Sequence, residues 1–298
     1  MTDPRGAGPG PSPRPRFGAR PCPDARTFLA REVPHPVLVL APHPDDETLG
    51  CGGLLGSGAD TGELHVCFAT DGARSHVNAF GTRDPTPAEM AAIRRREATR
   101  ALDELGIPRG NRSFLEFDDG GLGAAGPRLE ARLARLIDRI QPGTVVLPFR
   151  GDQHPDHVRL ARAAISRLRI QRPATMLLEY FIYPYLGWRG RIDVRSRLDA
   201  RHLIGVNVTA GLPRKRRAIA AHASQTTRFA PGQSRPILTQ EMLRAYLEDY
   251  EYYLMSARAD RLAPGRRPSP WLSTAERLRP PLKRLKDRAL RLVARRDA

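Results

Sequence analysis

Val37-Leu38-Val39-Leu40-Ala41-Pro42-His43-Pro44-Asp45-Asp46-Glu47 joins an apolar run to a turn that carries a histidine and three carboxylates, and Gly50-Cys51-Gly52-Gly53 follows. A short aliphatic run of this kind suits a strand buried on both faces. The glycines behind it open a helix able to lie close against a sheet. The same alternation continues along the chain, with strands predicted at 64–70, 112–117, 144–149, 176–183 and 202–208. Between them, helical spacing is carried by Ile93, Ala98, Ala101, Leu102 and Leu105, which stop at Gly106 with Pro108 beyond, and by Leu129, Leu133, Leu136, Ile137 and Ile140. A further helix is opened by Pro155 and carries Leu160, Ala164, Ile165 and Leu168, and two more are predicted at 213–224 and 239–254. Residues 225–238 read as a loop. Strands alternating with helices of this length predict an α/β fold, a Rossmann-like three-layer sandwich with a mostly parallel sheet and helices on both faces.

Outside this pattern the chain changes character. Residues 1–32 hold seven prolines, four glycines and six arginines with little apolar periodicity, and read as a disordered tail. Residues 33–258 form the expected folded domain, and 259–298 a basic linker and C-terminal helix. In that last stretch Leu282, Leu285, Ala289, Leu292 and Val293 recur at helical spacing among Lys283, Arg284, Lys286, Arg288 and Arg291. Such a basic amphipathic helix suits peripheral contact with an anionic membrane.

The formal charge of +17 invites a nucleic-acid reading, yet residues 275–298 alone hold nine Lys/Arg against Glu276, Asp287 and Asp297. No basic stripe interleaved with aromatics and no zinc-finger spacing appears, which argues against nucleic acid as a partner. No apolar run approaches the roughly 18 residues of a membrane span and no signal-peptide core follows the first arginines. Cys22, Cys51 and Cys67 form no Cys-x-x-Cys pair. Together these features predict a cytoplasmic protein.

In open α/β sheets ligands bind outside the carboxyl ends of the strands. Two predicted strand ends are rich in ligand-type residues: His43-Pro44-Asp45-Asp46-Glu47, and His154-Pro155-Asp156-His157. His43 and Asp46 can point at one ion, and His157 can complete a facial set of two histidines and one carboxylate with positions left open for water and substrate. Asp45, beside a ligand but aimed differently, can act as the base. His154 can stabilise an oxyanion or protonate a leaving amine. Taken singly, each cluster also reads as a turn whose aspartate caps a helix, a role open to both Asp46 and Asp156. Two such clusters at two strand ends favour a metal site.

Ala41-Pro42-His43-Pro44-Asp45-Asp46-Glu47 with Gly50-Cys51-Gly52-Gly53, together with His154-Pro155-Asp156-His157, resembles the LmbE-like (PIG-L) family of zinc-dependent deacetylases. That family includes GlcNAc-phosphatidylinositol de-N-acetylases and the deacetylases of mycothiol and bacillithiol synthesis. Further matches are Thr70-Asp71-Gly72, Arg94-x-x-Glu97, Asp119-Gly120 and Lys215-x-x-Ala218-Ile219-x-x-His222-x-Ser224-Gln225, so the resemblance spans about residues 34–226. It implies His43, Asp46 and His157 as metal ligands, Asp45 as general base, His154 as oxyanion stabiliser or acid, and Arg94 and Asp119 as contacts to the sugar. It also implies Zn2+ as cofactor, with Fe2+ or another divalent metal able to take the same donors, and an N-acetylated amino-sugar conjugate as substrate. His222 reads equally as a packed core residue or a pocket wall. The chain departs from many relatives at Ala73-Arg74-Ser75, where an acidic residue commonly follows the glycine. Three other readings remain: an amidase acting on another N-acylated conjugate, a non-haem Fe(II) oxygenase using the same facial set, and a non-enzymatic basic protein of membrane surfaces or nucleic acid whose metal site is structural.

Overall fold

The computed structural model describes residues 19–59, 63–182, 202–256 and 258–259. Its strands are β1 (Arg20–Asp24), β2 (Val37–Ala41), β3 (Leu64–Thr70), β4 (Arg112–Phe117), β5 (Thr144–Pro148), β6 (Met176–Tyr180), β7 (Leu203–Asn207) and β8 (Tyr250–Ser256). They form one sheet in the order β1-β7-β8-β6-β5-β2-β3-β4. Every pairing is parallel except those of β8, which runs antiparallel to β6 and β7. The helices are α1 (Ala25–Arg31), α2 (Asp46–Gly58), α3 (Ser75–Phe80), α4 (Pro87–Glu104), α5 (Leu122–Ile140), α6 (Pro155–Gln171), α7 (Leu212–Ala221), α8 (Ala223–Thr226) and α9 (Gln240–Tyr246).

β2 and β5 are buried at every position, as the unbroken apolar runs require of central strands. From β2 the chain steps outward through β3 to β4; it then returns to the other side of β2 as β5 and continues to β6. Because crossovers keep one hand, a reversal of direction moves the helices to the opposite face. Accordingly α2 packs with α1 and α7, α4 packs with α7, and α5 packs with α6. This is the predicted three-layer sandwich. Close approach is built into α2: a Cβ on Gly50 would meet the Tyr180 ring at 2.3 Å.

Two local expectations are corrected. The predicted helix over 239–254 is a short helix, α9, followed by strand β8. Leu243, Tyr246 and Leu247 continue a helical spacing, but Tyr250, Tyr252 and Tyr253 favour a pleated surface and fill the gap between β6 and β7. The tail predicted over 1–32 is also too long: Arg20–Asp24 pairs with β7, and α1 follows, capped where Asp24 accepts the Thr27 N–H at 3.1 Å. The prolines of β1 are tolerated because it is an edge strand. The predicted helix at 282–298 lies outside the described residues. Among the described residues no helix is long and apolar enough to cross a membrane.

Phe28 and Leu29 of α1 are fully buried in the main core. Phe28→Ala should therefore cost ~3–5 kcal/mol of unfolding free energy, measured by urea denaturation. An unchanged midpoint would place the N-terminal segment outside the folded unit.

Candidate active site

The residues singled out by sequence gather at the carboxyl ends of parallel strands. His43 follows β2, Asp46 opens α2, Asp119 lies between β4 and α5, and His154 and His157 begin α6 behind β5. β2 and β5 are neighbours from which the chain departs in opposite directions, so the crevice lies at the switch point of the sheet.

His43, Asp46 and His157 converge on a single oxygen. Asp46 Oδ2 lies 3.2 Å from His43 Nδ1 and 3.3 Å from His157 Nε2, and accepts the His43 backbone N–H at 2.9 Å. The far nitrogen of each ring is held by further carboxylates. His43 Nε2 lies 3.3 Å from Asp119 Oδ1 and 3.4 Å from Asp156 Oδ2, and His157 Nδ1 lies 3.3 Å from Asp152 Oδ2. Imidazoles that bind metals are oriented in this way, through a carboxylate on the nitrogen facing away from the ion. His154 completes the cluster, its ring centroid 4.7 Å from that of His43 and 5.0 Å from that of His157.

Two imidazole nitrogens and one carboxylate oxygen are a suitable donor set for a divalent transition metal with open positions. Among the described residues, two groups bring donor atoms within 4.8 Å of one another: His43 with His154 and His157, and His43 with Asp119 and Asp156. In the second group the carboxylates have backbone commitments. Asp156 accepts the Gly120 and Leu122 N–H groups at 2.7 and 3.2 Å, and Asp119 accepts that of Arg74 at 2.9 Å. Both carboxylates face His43 Nε2, the nitrogen opposite the one at Asp46, which suits an outer, orienting role.

Charge shifts divide the histidines. Burial opposes protonation of His43, but Asp119, Asp156 and Asp46 outweigh it and hold the ring well above its ordinary pKa. His157 is likewise disfavoured as a cation by burial, yet Asp46 and Asp152 raise it to about 9. His154 moves the other way, to about 4, through burial and the neighbouring His43 and His157. Its Nδ1 accepts the Asp156 N–H at 3.2 Å, which leaves the neutral ring's proton on Nε2.

Asp45 stands at the cap position of α2 but makes no capping bond with its side chain. Its φ of 135° is a conformation non-glycine residues rarely hold, and such strain persists only where neighbours impose it. Fully buried Glu47 does so by accepting the Asp45 N–H at 3.0 Å, and Arg94 donates to the Pro44 carbonyl. Asp45 Oδ2 pairs with Arg94 Nη2 at 2.8 Å. Burial raises the Asp45 pKa, Arg94 counters it and Asp46 adds to it, leaving the carboxyl at about 6.

Arg94 and Asp119, expected to face the sugar, are turned inward. Both are buried; Arg94 supports Asp45, and Asp119 supports His43, whose charge outweighs burial and keeps the Asp119 carboxyl below its usual range. His222 is buried behind the loop, 3.6 Å from Glu47 Oε1, and is a packed residue rather than a pocket wall. One support escaped the sequence reading. Asp152 orients His157 and also accepts the His154 N–H at 2.9 Å; its signal is a carboxylate just ahead of the second cluster. Glu97 accepts the Ser224 N–H at 2.7 Å and its hydroxyl at 2.6 Å, tying α4 to α8.

The PIG-L family, described as GlcNAc-PI de-N-acetylase, matches residues 38–168. The chain is 28% identical over 284 residues to a 1D-myo-inositol 2-acetamido-2-deoxy-alpha-D-glucopyranoside deacetylase of Rhodococcus opacus (strain B4), covering 77% of this chain and 95% of that one. It is 30% identical over 234 residues to the 2'-N-acetylparomamine deacetylase of Streptomyces fradiae, covering 71% and 81%. The N,N'-diacetylchitobiose deacetylase from Pyrococcus horikoshii shares the fold, with a TM-score of 0.50 at 24% identity over 68% of this chain and 74% of that one. Relatives matched over most of their length and both signature turns in place lead to one conclusion: the chain belongs to the PIG-L family.

Proposed function

We propose that the protein hydrolyses the N-acetyl group of a 2-amino sugar carried on a larger glycoside, with a divalent metal, zinc by family resemblance, held by His43, Asp46 and His157. The observation that carries this reading is the pairing of that donor set with Asp45, an ionisable carboxylate fixed beside it by Arg94. The two deacetylases named above act, by their names, on a 2-acetamido-2-deoxy-glucopyranoside of inositol and on N-acetylparomamine, which supports the substrate class. A parallel α/β sheet is also a poor match for the β-helical scaffolds common among facial-triad oxygenases.

Bound at this donor set, a divalent cation supplies Lewis acidity, bringing the ionisation of water from a pKa of ~15.7 towards neutrality. Asp45 takes the proton of the water that attacks the acetamide carbon. Its raised pKa makes it a base that can also give the proton back, so it can pass it to the amine as the carbon–nitrogen bond breaks. His154, neutral near pH 7, is suited to donate its Nε2–H to the carbonyl oxygen as negative charge develops there. Acetate and the free amino sugar are the products.

Asp45→Asn should lower kcat by about 10²–10⁴-fold with metal content unchanged, measured as free amine released from N-acetylglucosaminyl-inositol and N-acetylparomamine. Near-wild-type turnover would remove Asp45 from its role. The acid limb of the wild-type rate profile should lie at or below about pH 6, rate falling as Asp45 becomes protonated.

The raised histidines add a linkage prediction. In metal-free protein His157 is held above its unfolded pKa, so its stabilising contribution is full below about pH 6.5 and lost as pH rises through about 9. Thermal stability of the apoprotein should therefore fall over that interval, and His157→Gln should flatten the dependence. Zn2+ binding at pH 7 should release about two protons, one from each imidazole ligand, in calorimetry across buffers of different ionisation enthalpy. Binding without proton release would contradict the assignment.

A further inference from the structure

Helix α2, which presents Asp46, is broken at Cys51, where φ is −145° and ψ is 18°. In an unbroken helix the Gly53 N–H would donate to the Leu49 carbonyl. Here a buried ion pair meets both groups. Gly53 N–H donates to Glu251 Oε1 at 2.7 Å, Leu54 N–H donates to Glu251 Oε2 at 2.9 Å, and Lys215 Nζ donates to the Leu49 carbonyl at 2.8 Å. Lys215 Nζ and Glu251 Oε1 are themselves 2.7 Å apart, and the Tyr253 hydroxyl donates to Glu251 Oε2 at 2.8 Å.

The signs are matched to the break. The anion lies at the start of the second helical segment and the cation at the end of the first, where each meets the favourable end of a backbone dipole. The residues flanking the break leave room for the pair: a Cβ on Gly52 would come 3.0 Å from Lys215 Cγ, and one on Gly53 would come 2.9 Å from Glu251 Oε1. Lys215 is 1% exposed and Glu251 5%, so neither charge has solvent to fall back on. A pair buried this deeply is often replaceable by apolar residues without loss of stability. A break stitched by charge at both lips has a geometric consequence instead, because the first segment, Asp46 to Gly50, is free of the direction set by the second.

We propose that Lys215 and Glu251 are positioning residues for the metal centre: by holding α2 broken at Cys51 they set the Asp46 carboxylate against His43 and His157. Leu49, whose carbonyl Lys215 holds, lies about one helical turn, ~4.5 Å, from Asp46. The pair comes from α7 and β8, so it ties the ligand segment to elements outside both signature turns. This inference rests on the metal-ligand reading given above.

The test uses the full-length protein with Co2+ as the probe. Lys215→Met/Glu251→Gln keeps side-chain bulk and an acceptor for the Gly53 N–H but removes the charges and the donor to Leu49. The variant should bind Co2+ about ten-fold more weakly and show altered Co2+ ligand-field bands, with kcat reduced more than KM is raised. Leu136→Ala in α5, a buried residue remote from α2, serves as a control for lost stability alone and should leave the Co2+ spectrum unchanged. Should the double variant fail to fold, Glu251→Gln alone carries the same comparison. Wild-type Co2+ affinity and spectrum in the variant would overturn the proposal, as would changes no greater than those of Leu136→Ala. Since Co2+ affinity and spectrum are read without substrate, absence of deacetylation by the wild type would count against the proposed function and not against this inference.

Discussion

Asp46 Oδ2 takes the His43 backbone N–H and faces one ring nitrogen from each of His43 and His157. Around that oxygen the structure buries Glu47, Asp119, Asp152 and Asp156, with Asp45 half-buried beside them. So many carboxylates inside a protein are tolerable only where cations or donors meet each of them. Arg94 meets Asp45, backbone N–H groups meet Glu47, Asp119, Asp152 and Asp156, and His43 and His157 supply the rest by holding protons. The centre is thus built to hold positive charge, which protons on the two imidazoles supply.

The same electrostatics separates the residues by task. His154 is within 5.0 Å of His157 by ring centroid, yet the two shift in opposite directions. His157 has carboxylates at both nitrogens, whereas His154 spends Nδ1 on capping α6 and faces two cationic rings. Adjacent Asp45 and Asp46 diverge similarly, Asp46 pulled down against burial by His157 and His43, Asp45 raised by burial. Neighbouring groups driven apart in this manner mark acid–base assignments in active sites.

The apolar runs at β2 and β5 and the two polar turns behind them made the sheet centre and the meeting of His43, Asp46 and His157 legible in sequence, because burial on both faces leaves a continuous aliphatic signature. β8 was hidden: its tyrosines follow a helical pattern without a break, and only pairing between β6 and β7 decides their state. β1 was hidden by its prolines, which an edge strand permits. Arg94 and Asp119 showed as polar residues at the right strand ends, but a linear pattern does not tell a group that touches a sugar from one that holds the group beside it. Nor could the Lys215–Glu251 stitch be seen, since its partners come together only through the fold.

The roles of these residues depend on where a cation sits. Anomalous diffraction from crystals grown with zinc would test that directly. A peak within bonding distance of His43 Nδ1, Asp46 Oδ2 and His157 Nε2, with Asp119, Asp152 and Asp156 behind the rings, is the predicted result. A peak bound instead at His43 Nε2 between Asp119 and Asp156 would contradict it.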